Sequence, residues 1–285
     1  MNRLIRAELF KLFKNKTFRV VCIIALVISI GMTIISSPLM HKTFNEVQVA
    51  LAGQEMYQDL TSEPVHIGSL GVSYTPEDYF NPKASEVFSS AFGVGLFEIF
   101  AAVIVGAFLA KEYSQGTIKN VLAYGRRRSD FYLAKFIALI TSGAVVLLCL
   151  TLIPTVGTTI INGWGETFKF SQVIRMAESF GAGLLAYASV VSIIMALSIL
   201  IKSNGGVIGI TMGVILGAGS ILSLSYGKYK IFDNVFKITP YYNDQLAVSA
   251  IAAAGDIGRS ALISLLTMII FLVIGCTIFK RQDIK

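Results

Sequence analysis

Six apolar blocks constrain this chain more than any other feature. They lie at 20–39, 91–110, 133–155, 180–201, 207–224 and 260–279, each 18 to 23 residues long and nearly free of charge. About 20 helical residues cross the hydrocarbon core of a bilayer. In lipid the backbone must satisfy its own hydrogen bonds, and a separated block can do so only as a helix. The pattern therefore predicts an all-α integral membrane protein with six transmembrane helices, organised as a single domain over residues 1–285. Only 14% of residues are charged and 54% are apolar, whereas a typical soluble domain carries about 25% charged residues. A soluble enzyme, a DNA-binding domain and a secreted disulfide scaffold are excluded. The net charge of +7 then concerns membrane orientation, and no nucleic-acid partner is expected.

Orientation follows from lysine and arginine. With the N-terminus inside, segments 1–19, 111–135, 202–206 and 280–285 hold 16 of the 24 basic residues in 55 positions, and the outer segments 40–90, 156–179 and 225–259 hold 8 in 110. Acidic residues divide the other way, 4 inside against 12 outside, with Glu98 within a span. Both termini are expected to be cytoplasmic. The first block follows a basic stretch, as a signal peptide would. That stretch is long and patterned, however, and no small-residue cleavage site follows Ser36-Ser37-Pro38-Leu39-Met40, so a retained anchor is expected.

Within 1–19, a helix from Asn2 to Phe18 would gather Ile5, Leu9, Phe10, Leu12 and Phe13 on one broad side and Glu8, Lys11, Lys14 and Asn15 on the other. A basic amphipathic helix beside a span is expected to lie in the inner interface. In the outer segment 40–90, Thr75-Pro76-Glu77-Asp78 and Asn81-Pro82 read as helix starts, the second leading through Glu86 and Phe88 into the second span. Glu98 is the one ionisable residue well inside a span, about 10 Å below the outer surface. It reads either as a polar point on a transport path or as a packing carboxylate held by a neighbouring helix.

The inner segment 111–135 mixes charge, aromatics and glycine. A short helix over 117–124 would end at Gly125, and Ser129 would cap the third span with Asp130 in its first turn. Trp164 and Phe168 suit an aromatic belt. Spans four and five are joined by a short inner hairpin at 202–206. Gly205, Gly209, Gly213 and Gly217 recur every four residues, a small-residue face for close helix packing, within the chain or, as the second choice, between two copies. In 225–259, Asn243 is read as the cap of a short apolar helix at 246–254 closed by Gly255, too short to span and suited to a re-entrant position on the outer face. Cys22, Cys149 and Cys276 sit inside apolar blocks as small hydrophobes, with no disulfide expected. His41 and His66 have no partner cluster, so no metal site is assigned.

The chain has no G-x-x-x-x-G-K-[ST] phosphate loop, H-E-x-x-H, G-x-S-x-G or Rossmann fingerprint, and no catalytic residues are assigned. If it moves a solute uphill, the energy is expected to come from another polypeptide. Three segments carry a resemblance: the opening Arg6-Ala7-Glu8-Leu9-Phe10-Lys11-Leu12-Phe13-Lys14-Asn15-Lys16; Glu112-Tyr113-Ser114-Gln115-Gly116-Thr117-Ile118-Lys119, followed by Arg127, Ser129 and Lys135; and the closing Phe279-Lys280-Arg281-Gln282-Asp283-Ile284. With six spans and both ends inside, the whole chain resembles the permease subunit of type-2 ATP-binding-cassette exporters, and most of all bacterial peptide-antibiotic resistance and immunity exporters.

The resemblance implies a multi-pass protein of the bacterial cytoplasmic membrane. It implies a second permease copy, in a homodimer or heterodimer, and a separate cytosolic ATPase that holds the ATP and Mg²⁺; no cofactor is expected in this chain. By position, Glu112, Gly116, Thr117, Ile118, Lys119 and Arg127 would belong to the ATPase contact, the 202–206 turn would be a second contact, and Leu9, Phe10, Lys11, Phe13 and Lys14 would form the interfacial helix. Two other readings stay open: a membrane-embedded immunity or scaffold protein that binds a peptide without pumping, and an ATP-independent transporter using Glu98.

Overall fold

A computed structural model of the chain describes residues 1–37, 83–90, 96–118, 127–165, 168–218, 228–240, 242–243 and 254–282. Among these, every regular element is helical. In chain order they are α1 (Asn2–Lys14), α2 (Lys16–Ile35), α3 (Ala84–Ser90), α4 (Leu96–Val105), α5 (Lys111–Ser114), α6 (Arg128–Asn162), α7 (Phe170–Ile201), α8 (Asn204–Met212), α9 (Lys230–Phe236) and α10 (Ala254–Arg281). A π-helical segment, Gly106–Ala110, joins α4 to α5, and a second, Gly213–Ala218, continues α8.

Four of these helices are long and apolar enough to cross a membrane: Lys16–Ile35, Arg128–Asn162, Phe170–Ile201 and Gly255–Arg281. The expected second and fifth spans are seen as the helical pieces 96–110 and 207–218; the rest of each lies outside the described residues. α6 and α7 form the centre. α7 packs along α10 and α4, while α6 packs along α2, α3 and α1. α2 and α10 leave apolar side chains such as Ile23, Val27, Leu262 and Val273 exposed on their outer sides, as helices bordering lipid must.

Small and hydroxylated residues set the helix spacing. Ser29 Oγ donates to Ala25 O at 2.7 Å and to Cys149 O at 2.9 Å, drawing α2 onto α6. Asn162 Nδ2 donates to Ser36 O at 2.8 Å and so satisfies a carbonyl that the end of α2 leaves open. Gly275 on α10 lies directly under the Tyr132 hydroxyl, leaving no room for a Cβ. The four glycines of the every-fourth-residue stripe behave differently. A Cβ at Gly205, Gly209, Gly213 or Gly217 would meet no atom of the described residues within 4 Å, so packing within the chain, the first expectation for that stripe, is not what the described residues do.

Several boundaries depart from the sequence-based expectation. The opening helix stops at Lys14, because Asn15 turns extended and its side chain accepts from Thr17 N at 2.8 Å to start α2. α6 begins at Arg128 after an N-cap at Arg127, so Ser129 is inside the helix and caps nothing. α6 then runs through Pro154 to Asn162. Thr151, Thr155 and Thr159 return hydroxyl hydrogen bonds of 2.9, 2.6 and 2.7 Å to carbonyls one turn back, which satisfies these hydroxyls within the helix itself. The turn between α7 and α8 is only Lys202 and Ser203, so Gly205 and Gly206 are helical. Gly255 lies in the first turn of α10. The expected helices at 75–78, 117–124 and 246–254, together with His41 and His66, fall outside the described residues or nearly so. The three cysteines are free.

A charged junction at the basic end of the bundle

The start of α6, the end of α7, the end of α10, α1 and α5 meet at one end of the molecule. Lys135 stands at the centre of that meeting. It lies two turns into α6 and its side chain is 0% exposed. A buried ammonium is costly unless its protons are taken up, and here three oxygens surround it. Lys135 Nζ donates to Glu112 Oε1 at 2.7 Å and to Phe108 O at 3.4 Å, and forms a close ion pair with Glu8 Oε2 at 2.6 Å. The Phe108 ring lies 3.8 Å from the ammonium and the Phe131 ring 5.5 Å, so aromatic faces complete the enclosure.

Each carboxylate belongs to a different element. Glu8 comes from α1 and is 1% exposed; Glu112 comes from α5, just past the π segment. Lys11 bridges both from outside, 2.9 Å from Glu8 Oε1 and 3.7 Å from Glu112 Oε1. Two acids and two bases thus close a neutral quartet across α1, α5 and α6. The Lys11 ammonium sits above its ordinary value of 10.5: burial alone would lower it, but Glu8 and Glu112 together outweigh that. Burial pushes the Tyr113 phenol up as well.

The π segment helps bring these groups together. Its wider turn adds a residue before Lys111, whose N–H bonds back to Gly106 O, and such segments frequently occur at functional positions. Gly106 is needed there, since a Cβ would meet Asn204 Oδ1 at 2.6 Å and Ile208 Cγ1 at 2.8 Å. The α7–α8 turn is thereby seated against the segment leading into Glu112.

A second fastening lies beside the first. Arg128 Nη1 donates to Lys280 O at 3.1 Å and to Gln282 O at 2.6 Å, taking carbonyls that the end of α10 leaves open. Gln282 Nε2 in turn donates to Ile199 O at 3.2 Å near the end of α7. Phe279 packs among Tyr113, Phe131 and Tyr132, with ring centroids 6.0 to 6.1 Å apart.

The residues singled out from sequence divide into two sets. Glu112 and Ile118 point inward: Glu112 is engaged in the quartet and Ile118 is fully buried. Thr117 and Arg127 are exposed, and Gly116, with φ +67°, turns the chain just before Thr117. Lys119 lies outside the described residues. On α1, Leu9 is partly buried, whereas Phe10 and Phe13 are 66% and 48% exposed and Lys11 and Lys14 are also exposed. The buried face is Leu4, Glu8 and Leu12, so Glu8 is not on the solvated side where helical periodicity put it; Lys135 draws it inward. Glu98 is far from the quartet, in the first turn of α4. Sequence reasoning missed Lys135 as a hub, although a lysine inside an apolar block requires a counter-charge and Glu8 is the only acid in 1–19. No sequence signal marks the Arg128 fastening.

Among the described residues no group of histidine, cysteine and acids has metal-site spacing. The family model described as "ABC-2 family transporter protein" matches residues 3–284. No curated protein matches the chain.

Proposed function

The chain belongs to the ABC-2 family of transporter proteins, and from that premise we propose that it is the permease subunit of an ATP-driven exporter of the bacterial cytoplasmic membrane. The permease crosses the membrane six times, with α1, α5 and both termini at the cytoplasmic face, and pairs with a separate ATPase that binds ATP and Mg²⁺. Peptide antibiotics or similar amphipathic molecules are the cargo. The observation that carries this reading is the Glu8–Lys135–Glu112–Lys11 quartet. It ties the interfacial helix and the segment after the second span to α6, so a push on the surface at Thr117 and Arg127 moves three elements together rather than one loop. The basic end also holds 16 of the 24 Lys and Arg in this orientation, which supports placing it in the cytoplasm.

A second permease copy completes the path. The open stripe of Gly205, Gly209, Gly213 and Gly217 supports this, because small residues in lipid permit close approach of another helix. The ATPase contact is tested by co-expressing the chain with the ATPase encoded beside it and capturing the permease from mild detergent. The ATPase is expected to co-purify, and a Thr117→Trp/Arg127→Glu variant, altered only at exposed positions, to lower its recovery at least about tenfold, equivalent to about 1.4 kcal/mol. Wild type that retains no ATP-hydrolysing partner under any nucleotide condition would overturn the reading.

A further inference from the structure

Glu98 is 4% exposed, and its Oε2 has no hydrogen-bond partner. No lysine or arginine forms an ion pair with it among the described residues, in contrast to Glu8 and Glu112, whose charges are balanced by Lys135 and Lys11. Phe100, Ala101 and Ala102, which follow on the same helix, are buried too. A carboxylate buried in apolar surroundings without a counter-charge destabilises the packing that holds it. An intramembrane acid of this kind is by default a candidate for a functional site.

The facing helix extends the pattern. Gly106 rests against Asn204 and Ile208, which sets the register of α4 against α8. Along α8, Thr211 is one turn beyond Ile208, buried and also without a partner for its hydroxyl. Asn204 Oδ1, at the basic end of the same pair of helices, is a third unpartnered acceptor. Going outward from Gly106, Thr211 lies at a depth of about 8 Å and Glu98 at about 12 Å, at 1.5 Å per residue. Both helices pass into π segments, at Gly106–Ala110 and Gly213–Ala218. Unsatisfied acceptors at stepped depths, ending on a carboxylate, form a ladder for a positively charged group.

We propose that Glu98 is the binding residue for the cationic group of the transported molecule, so that the permease selects amphipathic cations over neutral or anionic amphiphiles of the same shape. The proposal rests on the permease reading for its transport role. Its binding step is independent of any ATPase. The substrate's ammonium or other cation supplies the counter-charge that no described residue provides, and Thr211 offers a polar step on the cytoplasmic side of it.

Tetraphenylphosphonium and tetraphenylborate are near-identical in size and opposite in charge, and they serve as probes. Binding of each is measured by equilibrium dialysis against the full chain in nanodiscs, for wild type, Glu98→Gln and Glu98→Asp. Wild type is expected to bind the cation at least about tenfold tighter than the anion, after subtraction of the partition into empty nanodiscs. Glu98→Gln, nearly isosteric, is expected to lose that preference, and Glu98→Asp to retain part of it. Equal binding of the two ions by wild type, or an undiminished preference in Glu98→Gln, would overturn the proposal. Should Glu98→Gln fail to fold, Glu98→Ala decides the same question: loss of the preference there supports the proposal, and its retention overturns it. Because no ATPase is present, a failure here is separate from a failure of the co-purification experiment, which tests the permease reading alone.

Discussion

Lys135 shows what a single buried charge can organise. Its ammonium is held by oxygens from α1, α5 and the π segment, and removing it leaves the buried Glu8 and the partly buried Glu112 with only the outer Lys11. Lys135→Met is therefore expected to destabilise the protein by about 3–5 kcal/mol, the range for stranding a buried partner, seen as a lowered unfolding temperature in detergent. The triple change Glu8→Gln/Lys135→Met/Glu112→Gln should recover much of that loss, because the one charge left, on Lys11, reaches solvent; equal instability of the single and triple variants would contradict the account. Lys11 adds a pH dependence. Its pKa is raised on folding, so its contribution is fully present below its ordinary value of 10.5 and fades as the pH climbs through the raised one. Hydrogen exchange of α1 should stay flat from neutral pH to about that point, after correction for intrinsic rates, and accelerate only above it. Steric fit matters at the same scale. Gly275→Ala would drive a methyl into the Tyr132 hydroxyl and is expected to cost about 1–3 kcal/mol, part of which Tyr132→Phe should restore in a double-mutant cycle.

At the scale of elements, charge pairing overrides helical periodicity. The wheel of the opening helix separates Glu8 from the apolar side, yet Glu8 is buried beside Leu4 and Leu12 while Phe10 and Phe13 face out. Periodicity records which residues are apolar; it carries no information about a lysine more than a hundred residues away. The same limit explains α6. Its apolar block was legible, but its run through Pro154 comes with packing against α2 that only the fold displays. Asn15 is a local signal that went unused: a short amide side chain between two helical stretches suits a cap. Asn15→Ala is expected to cost about 1 kcal/mol and to raise proteolytic cleavage between α1 and α2. Arg128→Gln should loosen the end of α10, read as faster hydrogen exchange at 279–282 with the centre of that helix unchanged.

For the whole molecule, hydropathy alone announced a multi-pass membrane protein, and membership of the ABC-2 family agrees with it. What hydropathy does not encode is how separate elements act as one. The charged quartet supplies that link, joining α1 and α5 to α6, which crosses the bundle. The central claim is that this link transmits motion between the proposed ATPase and the membrane path. A charge swap tests it while keeping two acids and two bases in place. Reconstitute the permease with its ATPase and measure ATP turnover and ATPase retention for Lys135→Glu, Glu112→Lys and the two together. The account predicts that each single change uncouples the complex and that the double change restores a substantial part of wild-type turnover. Single changes that behave as wild type, or a double change no better than either single one, would contradict it.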